Sequence, residues 1–259
     1  MLLPTWMNSL PFMPILILIL GLCLGSFMNV VIHRFPLGIS LSRPRSRCPE
    51  CMEPILPRDN IPVFSYLILR GRCRHCKTPI SFRYPLVEML GAISVLTAAL
   101  MSDNLATAVL RSTFLLAMMA VVFIDLDHGI IPDMITIPGI IVGFAIAPAL
   151  GISWVDSGLG IVIGAGWLLL VFTLYKVIRG VDGMGGGDIK LAAMLGAWLG
   201  WQGMLTSLLL GSLVGTAFGL YIIFKHKGSG QSTLPYGPFL GPAAAAVLLL
   251  GSRLWTWFP

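Results

Sequence analysis

Two acidic stretches hold the residues best suited to chemistry. One is V-D-G-M-G-G-G-D-I-K, Val181–Lys190, where four glycines surround a methionine and lead directly to Asp188. The other is F-I-D-L-D-H-G-I-I-P-D, which contains Asp125, Asp127 and Asp133. Both lie beside apolar sequence, where a carboxylate is costly unless it lines a polar cavity or an interface. The glycines permit tight turns and close backbone approach. Two carboxylates brought together cannot both stay ionised cheaply, so they share a proton. The ionised member can activate water, and the protonated member can donate to a peptide carbonyl oxygen. Those are the needs of aspartyl peptide hydrolysis without an acyl-enzyme. On charge and position alone, Asp127 and Asp133 compete with Asp125, and Asp182 competes with Asp188. Ion or proton transport and structural pairing stay open as other uses of membrane acids.

Other chemistries fit less well. A serine nucleophile needs a base oriented by a third group, and His33, His75, His128 and His226 stand in no triad motif. The H-E-x-x-H zinc signature and the G-x-x-x-x-G-K-[ST] phosphate loop are both absent. The glycine-rich turn carries an acid that would repel phosphate.

A second constellation is formed by four of the five cysteines, in C-P-E-C (Cys48–Cys51) and C-R-H-C (Cys73–Cys76), with 21 residues between the pairs. Two C-x-x-C turns at this spacing can converge on one tetrahedral zinc. Disulfides or thiol exchange are the competing readings. A basic loop facing the cytoplasm disfavours disulfides, and a short loop with little apolar content needs a metal to hold it together. Four thiolates leave no open coordination position, so the metal's role is structural. Cys23 reads as a packing residue and His75 as solvent-facing.

The elements that must position these groups are membrane helices. The 259 residues are 56% hydrophobic and 11% charged, against about 25% charged in an ordinary soluble domain. The first apolar run, after Pro14 through Ile32, lacks the basic start and small-residue cleavage site of a secretory signal and reads as a retained helix. Further spans are expected near 84–100, 105–124, 130–150, 157–178, 189–200, 203–224 and 239–254. The sixth is short for a crossing, Pro138 is expected to bend the fourth, and Trp198 and Trp201 suit a membrane interface. The fold class is therefore an all-α polytopic membrane protein of about eight transmembrane helices, with a cytoplasmic zinc-binding loop after the first. The segments are 1–32, the first transmembrane helix; 33–83, the four-cysteine loop; and 84–259, the membrane-embedded core.

Eight crossings put both termini outside and leave 15 of the 17 Lys and Arg residues inside, all but Arg111 and Arg253. That agrees with the positive-inside rule. Asp125 and Asp188, 63 residues apart, then fall in one plane at the inner face. The net charge of +6 is explained by topology, which argues against nucleic-acid binding; the basic loop is suited to anionic lipid. Gly21 and Gly25 share a helix face and permit close packing, Asn29 is placed to bond to another helix, Arg111 is expected to snorkel, and Glu88 sits just inside the second helix.

With these residues in view, the chain resembles the bacterial type IV prepilin leader peptidases, bifunctional peptidase/N-methyltransferases and GxGD-type intramembrane aspartyl proteases. The resemblance runs from about Gly21 to Pro242. It is carried by G-L-C-L-G-S-F-M-N-V-V-I-H-R-F-P, N-I-P-V-F-S-Y-L-I-L-R-G-R-C-R-H-C, I-S-F-R-Y-P-L-V-E-M-L-G, F-I-D-L-D-H-G-I-I-P-D and G-M-G-G-G-D-I-K, in that order. The resemblance implies Asp125 and Asp188 as the catalytic pair, with Gly185, Gly187 and Lys190 in the supporting loop. It implies prepilins and type II secretion pseudopilins as substrates, cut at the cytoplasmic face of the bacterial inner membrane after a basic leader ending in glycine. It also implies S-adenosylmethionine-dependent methylation of the new N-terminus, for which Gly25, Asn29 and Glu88 are the candidate donor-site residues. A peptidase lacking the methyltransferase, or an ion-coupled transporter with a zinc loop, are the alternatives.

Overall fold

The computed structural model describes residues 4–7, 12–180, 185–226 and 235–254. These are helical apart from loops and two isolated β-bridges. The helices are α1 (Met13–Arg34), α2 (Phe64–Ile68), α3 (Arg83–Leu100), α4 (Leu105–His128), α5 (Asp133–Ile146), α6 (Trp154–Arg179), α7 (Gly186–His226) and α8 (Gly237–Leu254). Six helical stretches among the described residues are long and apolar enough to cross a membrane, and 237–251 adds a shorter apolar one. A full crossing takes about 20 apolar residues. Large apolar side chains of α1 and α6, including Ile15, Leu16, Val162 and Trp167, are exposed, as expected of surfaces that meet lipid.

The chain divides into two compact units, Met1–Leu116 and Ala117–Pro259. In the first, α1 and α3 pack through glycine. A Cβ on Gly21 would lie 2.7 Å from the Ala92 Cα, and one on Gly91 would lie 2.5 Å from the Gly25 Cα. Lipid tails are as apolar as the side chains, so close backbone packing of this kind holds membrane helices together. Asn29 Nδ2 adds a hydrogen bond to the Tyr84 carbonyl, 3.1 Å. Cys23 is exposed on α1, contrary to its reading as a packing residue, because the glycine stripe turns the other face of the helix inward. Arg111 folds back to donate to the Met101 carbonyl and to Ser102 Oγ. It serves the end of α3 instead of reaching outward.

In the second unit, α6 and α7 meet at Gly160 and Gly196, where a Cβ on Gly196 would fall 2.1 Å from the Gly160 carbonyl carbon. Nothing at that distance can yield except backbone. Gly196→Val is expected to cost roughly 3 kcal/mol through overpacking, read as a lowered thermal midpoint in detergent; an unchanged midpoint would contradict this packing. Trp198 is 2% exposed, and its indole N–H donates to the Gly139 carbonyl, 2.8 Å. It is an interior residue and not an interfacial one, since Gly143 leaves room for its ring. Helix α5 continues through Pro138.

Helix α7 has 41 residues, about 60 Å of helix against a hydrocarbon core of about 30 Å. It is broken once, at Gly200, with φ 70° and ψ 175°, a conformation open chiefly to glycine. Its arms cover 186–199 and 201–226. Helix α4 extends to His128, so Asp125 and Asp127 stand in its last turn and not beyond its end.

Candidate aspartyl site and four-cysteine cluster

Asp125 is 5% exposed, whereas Asp127 is exposed. Two residues apart on a helix they point about 200° away from each other, so burying one turns the other outward. Asp125 Oδ2 accepts the Gly237 N–H at 2.8 Å. Asp133, at the start of α5, is taken by Lys190 of α7, with Nζ 2.5 Å from Oδ1. His128 is exposed. Asp182 lies outside the described residues, as does Lys227 of the basic run after α7.

Asp188 occupies the third position of α7. Its Oδ2 accepts the Gly185 N–H at 3.2 Å, while its own N–H donates to the Gly185 carbonyl at 3.2 Å. This reciprocal capping holds the carboxylate at a helix N-terminus. Gly187 sits against Ile131, whose Cβ would be 2.9 Å from an added Cβ. The glycines therefore have separate duties: Gly185 supplies a backbone donor and Gly187 lets α7 approach the turn before α5. Lys190 ties α7 to α5. Tyr236, next to the Gly237 whose N–H Asp125 accepts, is itself held to α7 through Ser212. The sequence reading missed Tyr236 and Gly237. The available signal was the L-P-Y-G-P-F stretch, which reads locally as a turn before α8 and nothing more.

The four sulfurs of Cys48, Cys51, Cys73 and Cys76 lie within 4.8 Å of one another. Cys48 and Cys76 are 3.7 Å apart, and Cys51 and Cys73 are 4.0 Å apart. Disulfide sulfurs would be about 2.05 Å apart. A tetrahedron with metal–sulfur bonds of about 2.3 Å has edges of about 3.8 Å, so the donor set fits a metal. At Cys76 the Thr78 hydroxyl, and then the Thr78 backbone, pull the thiol down to about 6. At Cys51 the Glu53 backbone N–H pulls downward, but desolvation and the three neighbouring sulfurs outweigh it and push the thiol up to about 11. A cation bound among the four sulfurs would hold all of them as thiolates. His75 is exposed.

The two cysteine turns are copies of one unit. R-C-P-E-C-M-E-P-I and R-C-R-H-C-K-T-P-I are 25 residues apart. Each closes with a bridge, Arg47 to Pro54 and Arg72 to Pro79. In each the first cysteine receives and donates the same backbone bonds: Met52 N–H to Cys48 and Lys77 N–H to Cys73, Cys48 N–H to Glu53 and Cys73 N–H to Thr78. Met52 and Lys77 both take positive φ, 58° and 62°. The sequence reading finds no clean internal repeat; the structure corrects it, and the signal was the flanking Arg, Pro and Ile that both turns share. Arg74, inside the second turn, forks onto Asp59 at 2.8 and 2.6 Å. The Arg74 hydrogen bond holds the Asp59 carboxyl below its usual range. With the folded pKa depressed, that support is present above about pH 4 and is lost as pH falls through the folded value.

Of the residues considered for a methyl donor, Gly25 packs backbone to backbone, a Cβ there falling 2.7 Å from the Glu88 Cα. Asn29 is bonded to Tyr84. Glu88, 9% exposed, accepts the Val63 N–H at 2.7 Å. It is an interior tie to the loop and not a surface anchor. All three make contacts within the first unit.

Long apolar helices, a buried acid in the last turn of α4 and a four-cysteine cluster able to hold a metal define a polytopic membrane protein. The chain belongs to the type IV leader peptidase family. Residues 112–220 match the model described as type IV leader peptidase family, and residues 19–102 match the bacterial peptidase A24 N-terminal domain. It is 40% identical over 273 residues to a prepilin leader peptidase/N-methyltransferase of Aeromonas hydrophila, covering 94% of this chain and 92% of the relative. Proteins of the same name from Burkholderia pseudomallei K96243 and Pseudomonas aeruginosa are 36% and 38% identical, covering 91% and 92% of this chain and 84% and 90% of those relatives. No solved structure matches significantly.

Proposed function

We propose that this protein is a bifunctional prepilin leader peptidase and N-methyltransferase of the bacterial inner membrane, with Asp125 and Asp188 as its hydrolytic pair. The two carboxyls hold one proton between them. The ionised one takes a proton from water as the water oxygen attacks the scissile carbonyl carbon; the protonated one gives its proton to the carbonyl oxygen. Collapse of the tetrahedral species breaks the C–N bond and returns a proton to the leaving amine. The observation that carries this reading is that, of the three acids in the first motif, only Asp125 is buried, where its Oδ2 accepts the Gly237 N–H.

The break at Gly200 supports eight spans, counting the arms of α7 separately with α8 as the last. On that count both acids belong to the cytoplasmic face, where a basic leader would remain while the apolar helix stays in lipid. Prepilins and pseudopilins are the substrates. S-adenosylmethionine would supply the methyl group to the freed N-terminal amine. Zinc is the metal that best suits four cysteine sulfurs in a tetrahedron.

The test is mass spectrometry of a prepilin incubated with the purified full-length protein, with and without S-adenosylmethionine. Loss of the leader in both arms, and one added methyl only where S-adenosylmethionine is present, are expected. Cleavage without the methyl would leave a peptidase only. Ion-dependent flux with no cleavage would replace the enzyme by a transporter.

A further inference from the structure

The start of α8 accounts for its backbone donors one by one. Tyr236 precedes the helix, and its carbonyl accepts the N–H groups of Phe239 at 3.1 Å and Leu240 at 3.0 Å. Pro238 has no N–H to place. The remaining donor of the turn is the Gly237 N–H, one of the groups that a helix start leaves without an internal partner. It is buried and donates to Asp125 Oδ2 at 2.8 Å. A Cβ on residue 237 would lie 2.8 Å from that same oxygen and 3.1 Å from the Asp125 Cβ. The turn is itself pinned from α7, because Tyr236 Oη lies 2.8 Å from Ser212 Oγ and 3.4 Å from the Leu208 carbonyl oxygen.

We propose that Gly237 is a positioning residue of the peptidase site. Its N–H fixes one oxygen of Asp125, so that the other is the one presented to water and the scissile peptide. Its missing side chain is what allows α8 to come this close. Pro238 contributes by removing a competing donor, and Tyr236 by anchoring the turn to the arm of α7 beyond Gly200. This rests on the reading of Asp125 as catalytic.

Gly241 provides a control for packing alone. It is about one turn further along α8 and faces the same helix α4, where an added Cβ would meet Val122 Cγ2 at 2.4 Å. Prepilin cleavage by the full-length protein is compared for wild type, Gly237→Ala, Gly241→Ala and Asp125→Asn. Gly237→Ala is expected to lose about 100-fold in kcat, the effect of a small misplacement of a reacting group, with KM changed less than about twofold. Its pH–rate profile should move by at least about half a unit, because a hydrogen bond to the carboxylate has changed. Gly241→Ala should lower thermal stability and leave the profile in place. A second variant, with glycolate replacing Gly237, deletes the N–H without adding a carbon and carries the same kinetic expectation. Wild-type kcat and pH profile in that ester variant, beside an inactive Asp125→Asn, would overturn the role of Gly237 and leave the aspartate reading standing. An equal pH shift in Gly241→Ala would reduce Gly237 to packing. An active Asp125→Asn would overturn both.

Discussion

Asp125→Asn and Asp188→Asn should each lower leader cleavage by about 1,000-fold or more, the scale of general acid–base catalysis, while the protein still folds. The amide preserves the shape of each carboxyl. At position 125 its carbonyl oxygen would still accept the Gly237 N–H, and at position 188 it would still accept the Gly185 N–H. What is lost is the ability to pass a proton. On the proposed mechanism, in which the two groups share one proton, the double variant should be scarcely slower than either single one. Cleavage and methylation need different chemistry, so a pre-cleaved peptide should still accept methyl groups with the Asp188→Asn protein. Cleavage assays on the three variants, with methyl incorporation beside them, decide the matter. Near-normal cleavage by either single variant removes that residue from the machinery. Asp127→Asn is the matched comparison: it changes an exposed acid two residues away and should leave the rate within about twofold.

The other large effect concerns the metal. Elemental analysis should give one zinc per chain, and the Cys48→Ser, Cys51→Ser double variant should contain none. Apparent binding energies for structural zinc are on the order of 10 kcal/mol, more than a loop without its own core can replace. Limited trypsin digestion between Arg34 and Arg83 should therefore become at least about 100-fold faster in the variant, at arginines such as Arg47 and Arg72 that the two bridges now hold. Both halves of the repeat should open together, since each would contribute two sulfurs to the proposed ion. Disulfides in protein isolated with thiols trapped, or trypsin resistance unchanged after metal removal, would sink the structural role. Helices α1 and α3 should keep their packing, because the Gly21, Gly25 and Gly91 contacts are independent of the loop.

Much of the fold was legible because membrane helices announce themselves locally. Apolar runs, bounded by Arg34, Arg83, Arg179 and Lys225, mark most of the spans, and the glycines at 21 and 25 mark a close-packed seam. Trp198 and Cys23 were misjudged for a single reason. Residue type says that a tryptophan is amphipathic and a cysteine small and apolar, but the face each one occupies depends on what packs there. Gly143 makes space for the indole, whereas Cys23 stands on the exposed side of α1.

By itself the sequence determined the chemistry available: acids at the ends of apolar helices, four cysteines in two C-x-x-C pairs, and a charge bias that orients the chain. These are properties of residue type and short spacing. Only tertiary structure decided which acid of F-I-D-L-D is enclosed, that Lys190 takes Asp133, and that a glycine 112 residues from Asp125 holds its carboxylate. Short-range sequence patterns carry no information about which face of α4 meets α8. That choice is made when the helices pack, at the few positions where missing side chains let their backbones close.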